Sequence, residues 1–459
     1  MGKEESELKR KRVLVINHFG TNKGDAAILI GLVDILRGSV PHLKLSVIST
    51  EPAVDGRYFR QDEVKLLKRI FRARRETKES VARWALQVSL WMLQSTIWAL
   101  SKRCSNGIRL CIDSRKRELL QEYADADIVV SCGGGYLNDS FGLMLLAPLH
   151  DILIALIIKK PVYLLAQSIG PFNSALWKFI AKNTLNRVQV ITLREGVSKK
   201  VLRDIAIDKP PIYVTADPAF VLNSERAERV AEIMHNEHVG KGRHPLVGVT
   251  LHYWHYPGAP HPEAKHAQYK EAMAQAADYL AKELGATVVF IPMNIKNSFY
   301  DERPLAREII GLMNYKNYVR VIEGEYTPRE LTGIIGQMDY IIGTRFHSVI
   351  LAFRMGVPAL TIMYEHKAEG IMKMLGLERF VCDINEIDAE ELISKINDLT
   401  MEREQVIETL EQNVALLQKL ALLNGKFASL ILESSKVQKK PSISSGLNQE
   451  DNELLQKFN

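Results

Sequence analysis

The chain has 459 residues, more than one ordinary hydrophobic core organises, so two domains are expected. Apolar residues make up 46% and charged residues 25%, which excludes a disordered or fibrous class. The net charge of +6 suits small anions or an anionic surface and does not call for nucleic acid.

The N-terminus, MGKEESELKRKR, is followed by only a short apolar run and shows no secretory signal, which points to a cytoplasmic protein. Cys104, Cys111, Cys132 and Cys382 lack metal-ligand spacing and read as reduced thiols. The run 13–16 reads as a buried strand that ends in the loop NHFGTNKGD before helical periodicity begins at Ala26. Asparagine and glycine there suit tight turns and positive φ. Residues 45–49 read as the next strand.

From 65 to 78 the chain is densely basic, and it continues into an apolar run over 84–100 that holds three of the five tryptophans. That run is at the lower length limit for crossing a bilayer, and Gln87, Ser89, Gln94, Ser95 and Thr96 interrupt it. An interfacial helix fits better, with tryptophans at the headgroup boundary, so residues 65–100 are expected to touch an anionic membrane peripherally. The alternative is a helix packed on its own domain or on a partner.

Strand and helix then alternate. Strands read at 127–132, 161–166, 188–193 and 212–214 end in Gly133-Gly134-Gly135, Gln167-Ser168, Arg194-Glu195-Gly196 and Thr215-Ala216-Asp217-Pro218, and 143–159 reads as an apolar helix. Polar clusters at successive strand ends are expected of a parallel, doubly wound sheet with its site along one edge. Residues 240–245 read as a linker. The first domain is therefore expected at 1–239, with a basic, tryptophan-rich insert near 55–117, and the second at 240–435. Tandem α/β domains imply a cleft between them. In the second domain, strands are expected at 246–251, 287–291 and 318–322, and Thr327-Pro328-Arg329-Glu330 reads as a capped helix start. A long helical pattern covers 401–434, and 436–459, polar and serine-rich, is expected to be a disordered tail.

The densest chemistry lies at 338–367. A short strand stops at Gly343 and hands over through Thr344-Arg345-Phe346-His347-Ser348 to a helix, which puts Arg345 and His347 where a carboxylate or phosphate would be held. The bland alternative is that Arg345 pairs with a nearby acid and His347 caps the helix. A second strand, 359–362, delivers Tyr364, Glu365, His366 and Lys367 to the same edge.

Taken together and in order, NHFGTNKGDAAI (17–28), SCGGGYLN (131–138), QSIGPF (167–172), TLREG (192–196), TADPA (215–219), GTRFHS (343–348) and YEHK (364–367) resemble the polysaccharide pyruvyl transferase family over roughly 12–380. The resemblance implies two tandem Rossmann-like domains, GT-B-like, with an interdomain cleft. It implies transfer of a pyruvate ketal (carboxyethylidene) group from phosphoenolpyruvate to a sugar of a cell-surface polysaccharide or its lipid-linked precursor; the basic, tryptophan-rich insert would suit an acceptor at the inner face of the membrane. The family's donor-binding arginines and histidine fall on Arg194, Arg345 and His347, and its opening cluster on Asn22, Gly24 and Asp25. Thr21 and Lys23 flank that cluster where the family commonly has smaller or different residues, and the insert has no counterpart.

Phosphoenolpyruvate carries a carboxylate and a phosphate, so two fixed cations such as Arg194 and Arg345, one from each domain, would suit it. His347 would orient or protonate the donor, and Asp25 or Asp217 would take the proton of the attacking hydroxyl. Asp217 reads equally as a turn aspartate bonding its own backbone. Lys367 would neutralise the leaving phosphate. Gly133, Gly134 and Gly135 would let the main chain approach a substrate closely, or would simply make a tight turn. No metal or other cofactor is expected beyond the donor, and the oligomeric state is unread. Two rival readings remain: a GT-B-type glycosyltransferase using a nucleotide sugar, for which no aromatic shelf is identified, and a non-catalytic sugar- or anion-binding homologue.

Overall fold

The structure, a computed structural model, describes residues 10–20, 22–60, 62–70, 78–104, 112–240, 244–295, 301–364, 367–434 and 446–458, with the main chain only at 78–82, 84 and 367. Thr21, Cys111, Glu365 and His366 lie outside the described residues. Two compact units result: unit 1 comprises Met1–Thr21, Ile28–Pro218 and Leu420–Asn459, and unit 2 comprises Asn22–Ala27 and Ala219–Lys419.

Unit 1 is built on strands β1 (Lys11–His18), β2 (Leu43–Ser49), β3 (Lys65–Lys68), β4 (Ile128–Ser131), β5 (Gly134–Leu137), β6 (Val162–Ile169), β7 (Val190–Leu193) and β8 (Ile212–Val214). They run parallel in the order β3-β2-β1-β4-β6-β7-β8, with β5 beside β6. The central strands are mostly apolar and buried along their whole length because helices cover both faces, as parallel sheets require. The second half of the long helix Arg403–Ser434 belongs to this unit, and Asn424 ties it there. Fully buried, its Oδ1 accepts from the hydroxyls of Tyr163 (3.0 Å), Thr192 (2.7 Å) and Thr215 (3.0 Å), so β6, β7 and the residue that follows β8 anchor one side chain.

Unit 2 carries β9 (Leu246–Thr250), β10 (Thr287–Phe290), β11 (Val319–Val321), β12 (Tyr340–Gly343), β13 (Ala359–Met363) and β14 (Val381–Asp383), all parallel, in the order β11-β10-β9-β12-β13-β14. This is the doubly wound order, and both units are Rossmann-like α/β domains. The order reverses between β1 and β4 in one sheet and between β9 and β12 in the other. Ligands bind at such switch points, outside the strands' carboxyl ends. The helix start read at 327–330 is present: Thr327 accepts from the Glu330 N–H, Glu330 returns the bond, and Pro328 occupies the first turn.

Several expectations need correction. The division falls at 218/219 instead of 239/240: the helix Ala227–Asn236 packs on Pro328–Ile335, so the stretch 240–245 leads into β9 from within unit 2. Part of the basic segment, Lys65–Lys68, is an edge strand of the sheet, where charge discourages further pairing. The tail is not wholly without structure. Gln449–Gln456 is a helix with an Asn448/Asp451 capping box, buried Leu454 and Leu455, and an ion pair from Asp451 to Lys426.

On the helix Lys78–Arg103 the two tryptophans with described side chains, Trp91 and Trp98, turn inward, which corrects the headgroup reading for both. Trp91 is 4% exposed and Trp98 packs on the core, while Ser95 and Thr96 approach the ring of His150 on the helix Leu146–Ile157. Leucines face outward instead. Among the described residues, Asp139–Ile157 and Arg403–Ser434 are long and apolar enough to cross a membrane, but both supply core residues; Lys78–Arg103 does not meet that test.

Candidate active site

The switch point of the second sheet holds the described chemistry. β9 and β12 lie side by side with Thr250 opposite Gly343, and the Thr344 N–H bonds the Thr250 carbonyl at 2.9 Å. Arg345 is the N-cap of the helix Phe346–Arg354 and makes no side-chain cap bond. Its guanidinium pairs with Glu302, a carboxylate only 3% exposed, whose Oε2 also accepts the N–H of Met293 at the end of β10 (2.7 Å). Burial alone would lower the arginine's pKa, but the Glu302 carboxylate outweighs it and raises the value, so the cation is secured and oriented. Burial likewise pushes the Glu302 carboxyl up, against the pull of Arg345 and the two N–H donors.

His347 lies one turn into this arrangement, against the first turn of the helix Lys23–Ser39, a segment that clusters with unit 2. A Cβ placed on Gly24 would fall 2.3 Å from His347 Nδ1, so only glycine admits the ring there. Asn22 and Asp25 cap each other: the Asp25 N–H bonds Asn22 Oδ1 (2.8 Å) and Asn22 Nδ2 bonds Asp25 Oδ2 (2.9 Å). The Lys23 N–H reaches the Met293 carbonyl at 3.3 Å and its ammonium pairs with Glu325 at 3.2 Å. Arg345, His347 and the positive end of a helix thus occupy one sheet edge, a setting that favours a small anion.

Tyr364, after β13, joins the same edge: its ring centroid is 4.6 Å from that of His252 and 4.9 Å from that of Trp254. The Tyr269 hydroxyl lies between Thr344 Oγ1 (2.8 Å) and the main-chain N–H of His252, and burial raises its pKa, so it stays protonated. The Lys367 side chain lies outside the description. Among the described residues, no group of three or more His, Cys, Asp or Glu could hold a metal ion.

The remaining residues from the sequence reading sit in unit 1. Arg194, 1% exposed, bonds Asp217 through Nη1 (2.7 Å) and Ser168 through Nε (2.8 Å). Asp217 is fully buried in that pair, where its carboxylate fixes the Arg194 guanidinium. Gly133 packs against the carbonyls of Ala166 and Leu165, and Gly134 and Gly135 belong to β5.

The sequence reading passed over Glu302, His252, Trp254 and Tyr269. A signal existed for two of them, since HYWHY follows directly on the apolar run of β9.

The family model for polysaccharide pyruvyl transferase matches residues 22–366. The chain belongs to this family. A curated relative, the amylovoran biosynthesis protein AmsJ of Erwinia amylovora, is 26% identical over 436 residues, which cover 92% of this chain and 99% of AmsJ. Members of the polysaccharide pyruvyl transferase family are transferases, and this chain is an enzyme of pyruvylation in polysaccharide biosynthesis. Among solved structures, a glycosyltransferase of Rickettsia africae matches with TM-score 0.58 at 12% identity, covering 93% of this chain and 99% of that one. Anabaena HepE in complex with UDP-glucose matches with TM-score 0.56 at 13% identity, covering 93% and 99%. At these identities the likeness is one of fold, and it is GT-B-like.

Proposed function

We propose that the donor is phosphoenolpyruvate and that the chain closes its carboxyethylidene group as a ketal on two hydroxyls of one sugar. The supporting observation is the pairing of a fixed guanidinium, Arg345 on Glu302, with His347 at a helix amino terminus, all at the switch point of one sheet. An arginine fork matches a carboxylate or a phosphate with two parallel bonds. His347 protonates or orients the donor. With the enol carbon protonated, one sugar hydroxyl attacks the cationic centre and a second displaces phosphate. Asp25, next to Gly24, takes the hydroxyl's proton.

Phosphate release from phosphoenolpyruvate with a panel of sugars tests this, alongside thermal shifts with phosphoenolpyruvate and UDP-glucose. Arg345→Ala and His347→Ala should each abolish turnover, and activity surviving in either variant removes that residue from the reaction. Arg194→Ala, made in unit 1, tests separately whether that guanidinium serves the donor. A shift with UDP-glucose and none with phosphoenolpyruvate would favour the nucleotide-sugar reading.

We also propose that the acceptor is lipid-linked and that unit 1 docks on the inner face of an anionic membrane. On Lys78–Arg103 the exposed Leu86, Leu90, Leu93 and Leu100 fall at helical spacing on one stripe, with Arg83, Lys102 and Arg103 exposed around them. The helix Ala175–Leu185, with exposed Leu176 and Phe179, flanks the same neighbour, Leu146–Ile157.

A further inference from the structure

Building on the donor reading, we propose that Trp254, His252 and Tyr364 form the shelf on which the acceptor's pyranose ring lies, next to Arg345. The segment after β9 runs without helix or strand to Pro262 and presents His252, Tyr253, Trp254, His255 and Tyr256 in succession. His252, Trp254 and Tyr364 make a mutual triad of rings, with centroids 4.6, 4.9 and 5.9 Å apart, and all three are partly exposed. Aromatic side chains supply large apolar area, and a core would enclose them; this group stays at the mouth of the sheet.

The second observation is polar. Trp254 Nε1, the Tyr256 hydroxyl and His266 Nε2 are out of water and lack a hydrogen-bond partner among the described residues. Trp254 Nε1 belongs to the ring triad itself, the Tyr256 hydroxyl stands two residues along the same segment, and His266 packs on the intervening Tyr253, with ring centroids 4.3 Å apart. Folded chains rarely leave a buried indole N–H such as that of Trp254 without a ligand or ordered water to meet it.

A pyranoside offers what both features lack. Its C–H face lies flat on an aromatic ring, and its rim of hydroxyls both donates and accepts. Phosphoenolpyruvate has no ring and no hydroxyl, so it answers neither. Position agrees as well: His252 lies two residues past Thr250, Arg345 two past Gly343, and Thr250 and Gly343 are register partners. A sugar on the shelf therefore has its hydroxyls beside the cation assigned to the donor. A uracil ring would fit the same faces, and the experiment distinguishes the two.

Steady-state phosphate release is measured with phosphoenolpyruvate and methyl β-D-galactopyranoside, glucopyranoside or mannopyranoside, in wild type, Trp254→Ala, Trp254→Phe and Tyr364→Ala. Trp254 is the tryptophan of unit 2, the others standing at 84, 91, 98 and 177, so the fluorescence lost in Trp254→Phe reports sugar binding directly. The alanine variants should raise the acceptor KM about tenfold or more while the donor KM and the phosphoenolpyruvate thermal shift stay within about twofold, and Trp254→Phe should fall between. An unchanged acceptor KM overturns the shelf, as does failure of all three glycosides to quench Trp254. UDP binding that is lost in Trp254→Ala overturns it too, in favour of a nucleobase. A wild-type protein with no response to phosphoenolpyruvate overturns the donor reading instead.

Discussion

Gly24 and His347 touch so closely that the glycine's missing side chain is the space the imidazole occupies: a Cβ there would also lie 2.5 Å from the ring's Cγ and 2.8 Å from its Cβ. The overlap reaches the root of the histidine, so rotating the ring does not relieve it. In Gly24→Ala the helix start or the histidine's main chain must move. Alanine in a helix is worth about 1 kcal/mol over glycine, which offsets part of that cost and keeps the melting temperature near wild type. Catalysis has no such compensation, because displacing a reacting group by an ångström costs about a hundredfold. The expected result is kcat/KM down by ~10–100-fold with an unchanged circular-dichroism spectrum. Wild-type kcat/KM in this variant would remove the contact from the mechanism.

This relationship marks the limit of what the sequence makes legible. The strand, turn and helix start around Gly343 can be read because they lie in one continuous stretch with strong local signals. The same holds for Thr327-Pro328-Arg329-Glu330, where the cap is a local chemical fact. Glu302 gives no local sign that it will find Arg345, since partner choice is made by the fold. β3 went unread because KLLK has the charge pattern of an exposed segment, and β5 because two of its four residues are glycines without side chains to show alternation. The unit boundary was misplaced for a similar reason: residues 240–245 have a linker's composition, while Val230, Ile233 and Met234 bury the preceding helix in unit 2.

Glu302 should act through Arg345. Glu302→Gln keeps an oxygen for the N–H groups of Met293 and Asn294 but removes the countercharge that fixes the guanidinium. Donor KM is expected to rise about tenfold with a smaller change in kcat, because binding geometry is lost before chemistry is. Glu302→Ala leaves a mostly buried cation uncompensated and should cost about 3–5 kcal/mol of stability by chemical denaturation. An unaltered donor KM in Glu302→Gln would make the pair merely structural.

Part of the pH dependence of unit 2 traces to a named carboxyl. Burial alone would raise the pKa of Glu330, but the Thr327 N–H and Arg229 outweigh it and leave it below its ordinary value of 4.5. A carboxyl whose folded pKa is depressed contributes stability above its unfolded pKa and loses it as pH falls through the folded value. The melting temperature should therefore hold from neutral pH to about 5 and decline at lower pH, with Glu330→Gln flattening part of the decline. A variant whose melting profile parallels wild type between pH 5 and pH 3, within about a degree, would exclude Glu330 as a source.

The leucine stripe of Lys78–Arg103 makes a prediction independent of the chemistry. Leu86 is 61% exposed, Leu90 47% and Leu93 58%, while Trp91, Ser95 and Ala99 on the opposite side are buried, so glutamates at the three leucines should not disturb the fold. Moving a leucine side chain from water into an apolar layer is worth about 1.5–3 kcal/mol when complete, and these are already part-covered, so three together account for a few kcal/mol at most. Wild type should cosediment with phosphatidylglycerol-containing vesicles, more weakly as salt rises because Arg83, Lys102 and Arg103 share the attraction. Leu86→Glu/Leu90→Glu/Leu93→Glu should lose about a hundredfold or more of that binding, since each new carboxylate is also repelled by the anionic surface. Its turnover of a soluble acceptor should match wild type, because none of the three belongs to unit 2. Equal binding of the triple variant and wild type, or no vesicle binding by either, would refute the docking face and leave the exposed leucines to a protein partner.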